Sequence, residues 1–122
     1  MINLNRLITS FRHAFNGLIY SLKHNQNLRI HFVMAILVVI ASIVFRVNPF
    51  EMGILGVMIL LVICTEMINT SIEEMVNFLT IEHKREARIA KDVVAGMVLI
   101  AAIGSIIVGI LIFAPHIFRL FL

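Results

Sequence analysis

The chain has 122 residues, 61% of them hydrophobic, with a mean hydropathy of +1.04 and a formal charge of +3. Soluble domains carry about 45–50% apolar residues, and so short a chain has too little interior to hide the excess. A soluble globular domain is therefore excluded, and the small charge does not point to nucleic acid. A single integral-membrane domain, residues 1–122, is expected. The lone Cys64 can form no internal disulfide and says nothing of redox compartment.

Residues 1–27 are predicted to form an amphipathic surface helix. Leu4, Leu7, Ile8, Phe11, Phe15, Leu18, Ile19 and Leu22 recur at helical spacing, while Arg6, Arg12, His13, Asn16 and Lys23 mostly fall elsewhere. A first span is predicted over 29–46, with Arg29 and Arg46 reaching out to the interface from its ends. Val47-Asn48-Pro49-Phe50 reads as a turn, since proline pushes the residue before it away from helix. The second span covers 51–78. The third covers 92–114 and is expected to stop at Pro115; Gly96, Gly104 and Gly109 give it small-residue faces for helix packing. The fold class is thus all-α, with three transmembrane helices and an N-terminal surface helix.

Basic residues set the orientation. With the N-terminus inside, Arg6, Arg12, Lys23, Arg29, Lys84, Arg85, Arg88 and Lys91 are cytoplasmic, and Arg46 and Arg119 lie outside with the C-terminus. That is a strong positive-inside bias.

The second span ends in Cys64-Thr65-Glu66-Met67-Ile68-Asn69-Thr70-Ser71-Ile72-Glu73. Spacings of three and four place Glu66, Asn69 and Glu73 on one helical face. A carboxyl group within a span is costly and marks a functional site by default. Glu66 lies about 10 Å deeper than Glu73. Near the same level stand Glu82-His83-Lys84-Arg85-Glu86, Arg88, Lys91 and Asp92. Such a set suits phosphoryl transfer to a lipid: carboxylates for Mg²⁺, cations for phosphates, and a deep carboxylate to take a hydroxyl proton. Off that stripe, Glu74 reads as a solvated helix end. His13, His31 and His116 are too scattered for a metal site and read as interfacial packing.

Glu66-x-x-Asn69-Thr70-Ser71-Ile72-Glu73 followed by Ala90-Lys91-Asp92-x-x-Ala95-Gly96 resembles the signature of the small bacterial diacylglycerol kinase family, which includes undecaprenol kinases. The order of elements along nearly the whole chain matches as well. The resemblance implies a homotrimer in the bacterial inner membrane, with active sites between subunits, that transfers the γ-phosphate of ATP with Mg²⁺ to a lipid alcohol. It implies Glu66 as catalytic base, Asn69 as a supporting residue at the substrate, and Glu73 as a metal- and nucleotide-binding carboxylate. Arg6, Glu82, His83, Lys84, Lys91 and Asp92 match nucleotide contacts. Two positions depart from the pattern. Asn25 stands where the family has a second metal-binding glutamate, and Asn77 where it has an aspartate. Asn25 can still offer its carbonyl oxygen to a metal but adds no charge. The stretch Asn25-Gln26-Asn27-Leu28-Arg29-Ile30-His31 looks more like the undecaprenol kinase branch. These departures leave a second reading open: a non-catalytic membrane assembly subunit derived from the family.

Overall fold

A computed structural model describes residues 1–79, 82 and 84–122. The chain forms α1 (Leu4–His24), α2 (Gln26–Val44), α3 (Pro49–Leu79) and α4 (Arg85–Phe121). Of these, α2, α3 and α4 are long and apolar enough to cross a membrane. The three spans expected from hydropathy are therefore present, with different ends.

Short polar side chains place those ends. Asn3 opens α1 by accepting from the Arg6 amide at 3.2 Å. One residue, Asn25, separates α1 from α2. Its backbone is extended, its N–H closes α1 on the Ser21 carbonyl at 2.8 Å, and its Oδ1 opens α2 by accepting from the Leu28 amide at 3.1 Å. Arg29 does not simply reach for the interface. Its guanidinium folds back to donate to the Leu22 and Lys23 carbonyls at 3.0 and 2.8 Å, satisfying groups that the end of α1 leaves open.

The α2–α3 turn is a Schellman motif. Arg46 adopts a left-handed φ of 54°, the Val47 amide donates to Ser42 O and the Arg46 amide to Ile43 O. The motif turns Val47 inward, where it is buried with Leu55 and Ile112. Asn48 then accepts from the Glu51 amide at 2.8 Å, and Pro49 takes the first helical position, where a missing N–H costs nothing.

Pro115 does not end the last helix. α4 runs on to Phe121, and Leu122 N still donates to Phe118 O at 2.8 Å. The proline removes one donor near the end of a span, where water or headgroups can reach the carbonyl it abandons. α4 also begins at Arg85, seven residues before the predicted start. Its 37 residues span about 55 Å, well beyond a hydrocarbon core of about 30 Å.

α3 is the central helix. α4 lies along much of it, while α1 and α2 touch it over shorter stretches. Gly104 of α4 sits against Met58 of α3, with room for a Cβ only at van der Waals contact, 3.7 Å. Among the described residues α2 and α4 do not approach closely, and an apolar groove separates them. The accessible surface is 9542 Å², against about 6,600 Å² for a compact soluble monomer of this mass. Most large apolar side chains on α2, α3 and α4 face outward, while Thr65, Glu66, Asn69 and Thr70 are buried. Polar inside and apolar outside is the arrangement lipid requires.

Candidate active site

Glu66 is the most enclosed polar residue, with 1% of its surface exposed. It lies 17 residues into α3, about 26 Å from the Pro49 end, so it is still inside the hydrocarbon zone, towards the end where α1 joins α2. A carboxyl group there needs partners. Asn25 Nδ2 donates to Glu66 Oε2 at 2.9 Å and to Thr70 Oγ1 at 2.8 Å. On the other oxygen, His31 Nε2 stands 3.4 Å from Oε1. Thr70 in turn donates to the Glu66 backbone carbonyl at 3.1 Å. Helix α3 thus supplies the carboxyl group, the α1–α2 joint one partner, and α2 the other.

Two clefts and a groove meet near this point. A polar cleft of about 280 Å³ is lined by residues that include Asn25, Asn69, Thr70, Glu73 and Glu74. Asn69 is buried and, among the described residues, its Oδ1 has no hydrogen-bond partner. Glu66 and His31 also line a second cleft, walled by Ala95, Val98, Leu99 and Ala102 of α4. His31 further borders the apolar groove, about 210 Å³, which runs between Met34 and Val38 of α2, Met58 and Val62 of α3, and Ile106 and Phe113 of α4. His31 is the residue common to the carboxyl group and the groove.

The expected Mg²⁺ can be tested against these donors. Magnesium favours oxygen ligands and commonly takes one or two carboxylates together with phosphate oxygens. Glu73 and the unpartnered Asn69 Oδ1 border one cleft, a donor set that fits. Among the described residues no group of three or more His, Cys, Asp or Glu side chains could hold a metal by itself. Asn25 is occupied differently: its amide nitrogen faces Glu66 and its oxygen caps α2.

The other expected contacts are spread out. Lys91 Nζ donates to Asn77 Oδ1 at 2.7 Å, joining α4 to α3. Because that partner is neutral, the ammonium charge is left available to an anion. Asp92 is exposed on α4; Glu82 and Lys84 are exposed in the connection before it. His83 lies outside the described residues. Arg6 is exposed near the far end of α1, about 28 Å along the helix from Asn25, so a single chain does not bring it to Glu66.

Three residues were missed or misread from sequence. Glu74 is not merely solvated: it accepts from the Tyr20 hydroxyl at 2.7 Å, pinning α1 to α3. That hydrogen bond, more than desolvation or the nearby charge, raises the Tyr20 pKa above its ordinary value. Thr70 and His31 complete the surroundings of Glu66. The available signal for His31 was an imidazole just inside an otherwise apolar span; which carboxyl group it would meet depends on how α2 packs against α3.

Fold and site together define an all-helical, three-span membrane protein with a buried carboxyl group between a polar cleft and an apolar groove. The family model for prokaryotic diacylglycerol kinase matches residues 12–113. The chain is 35% identical to the undecaprenol kinase of Bacillus subtilis, over 92% of this chain and 91% of that protein. It is also 36% identical to a diacylglycerol kinase of Synechocystis over 84% of its own length; the match spans 59% of that relative. The chain belongs to the prokaryotic diacylglycerol kinase family, and both of these relatives are lipid kinases by name.

Proposed function

We propose that this protein is a lipid kinase that transfers the γ-phosphoryl group of ATP to the hydroxyl of a membrane lipid alcohol, undecaprenol or diacylglycerol, at the cytoplasmic face. The observation that carries this reading is the place of Glu66: fully buried, beside His31, where the apolar groove and the α4-walled cleft share a wall. The lipid hydrocarbon would occupy the groove and bring its hydroxyl to Glu66. Glu66 takes the hydroxyl proton as the lipid oxygen bonds to the γ-phosphorus and the bond to the β-phosphate oxygen breaks, releasing ADP. Glu73 and the Asn69 oxygen would hold Mg²⁺, which neutralises phosphate charge when bound. Lys91 meets the charge that develops on the transferring group, and Asp92, Glu82, His83, Lys84 and Arg6 are the remaining candidates for nucleotide contact.

The N-terminus is cytoplasmic by the positive-inside bias, and α1 rests on the inner membrane surface through Leu4, Leu7, Ile8, Phe11 and Phe15, all exposed. The distance of Arg6 from Glu66 within one chain favours a site completed by a neighbouring subunit, in keeping with the homotrimer that the family resemblance implies. Between the two lipids, the Asn25–His31 stretch favours undecaprenol.

The test is phosphoryl transfer from radiolabelled ATP in bilayers containing undecaprenol or diacylglycerol. Labelled lipid phosphate that disappears in Glu66→Gln supports the reading. No transfer to either alcohol by folded protein overturns it.

A further inference from the structure

We propose that Asn25 and His31 are positioning residues that clamp the Glu66 carboxyl group, one on each oxygen. This rests on Glu66 being the base. The geometry is specific. Asn25 uses every polar atom: Oδ1 opens α2, while Nδ2 reaches Glu66 Oε2 at 2.9 Å and Thr70 Oγ1 at 2.8 Å. The joint between two helices is therefore also a contact to the third, 41 residues away. His31 lies in the second turn of α2, and its Nε2 faces the other oxygen at 3.4 Å, a separation that substrate-bound sites commonly tighten. With one oxygen engaged by the α1–α2 joint and the other by α2, the carboxyl group cannot rotate about its last bond without losing a partner. A base held in this way is pre-aligned for a hydroxyl arriving past His31 from the groove.

Cap and clamp can be separated chemically. Aspartate caps a helix as well as asparagine does but offers Glu66 an oxygen instead of an N–H. Glutamine can present its Nε2 near that of histidine, whereas leucine cannot. Asn25→Asp and His31→Leu are expected to lower kcat by at least ~10-fold, within the range of misplaced catalytic groups. The MgATP KM should stay near wild type, the thermal midpoint should fall because a buried carboxyl group loses a donor, and His31→Gln should recover most of the turnover. Both damaging variants should also shift the Glu66 carboxyl band, identified as the infrared difference between wild type and Glu66→Gln, a readout that needs no turnover. Wild-type kcat with an unmoved band in Asn25→Asp and His31→Leu overturns the clamp. If Glu66→Gln itself keeps full turnover, it is the base assignment that fails, and the band then decides whether the clamp exists as a contact.

Discussion

Two points along α3, one near its middle and one at its start, carry the same trio of residue types in different surroundings. Near the middle, Glu66 sits between Asn25 on Oε2 and His31 on Oε1. At the start, Glu51 accepts from Asn48 Nδ2 on Oε1 at 2.6 Å, and His116 Nε2 stands 3.4 Å from Oε2. The difference lies in origin and burial. Asn48 is three residues from Glu51, and the pair exchange hydrogen bonds as a local cap, with the Glu51 side chain 23% exposed. Asn25 comes from the α1–α2 joint, 41 residues away, and the Glu66 side chain is 2% exposed. An Asn–Glu–His cluster at a wet helix start stabilises that start. The same cluster in a water-poor interior, at the wall of a groove, holds the carboxyl group proposed as the base, and low dielectric raises the worth of each contact there. The lesson is that residue type alone does not separate cap from site.

The sharpest way to break the comparison is to neutralise both glutamates. Glu66→Gln should lower lipid phosphorylation by at least ~100-fold, the usual scale for removing a general base. Glu51→Gln should leave turnover at the wild-type level and cost under about 1 kcal/mol of stability, since exposed pairs contribute little. Equal losses from the two would mean that both are structural. A smaller effect is expected at the cap that starts α3: Asn48→Ala should reduce stability by about 1 kcal/mol, read as a lower thermal midpoint in detergent, with kcat per folded protein unchanged. A fall in kcat would place the start of α3 in the mechanism.

The smallest effect concerns the contact that holds α1 against the C-terminal part of α3. Tyr20 is the only tyrosine and the chain has no tryptophan, so alkaline absorbance titration reads it alone. Its hydrogen bond to Glu74 raises the pKa above 10.0. A raised pKa means the folded state holds the proton more tightly. The stabilisation is therefore complete below pH 10.0 and is lost as pH climbs through the raised value. Glu74→Ala should bring the titration midpoint back towards 10.0. A midpoint that does not move would show that α1 is not held to α3 through this pair.

Hydropathy alone determined that this is a three-span helical membrane protein, because lipid accepts only closed hydrogen-bonding along an apolar run of sufficient length. Periodicity put Glu66, Asn69 and Glu73 on one face of a single helix, a relation internal to α3 that needs no knowledge of packing. Span ends were less legible: Pro115 looked terminal but lies within α4, since a proline near the edge of a span sacrifices one bond that water can replace. The partners of Glu66 were decided only by the tertiary structure. Asn25 and His31 lie 41 and 35 positions before it, and they meet it because a one-residue joint ends α1, starts α2 and turns its remaining donor onto α3. Contacts between helices depend on rotation and offset that no local period encodes, so the sequence could point to the carboxyl group but not to the hydrogen bonds that hold it.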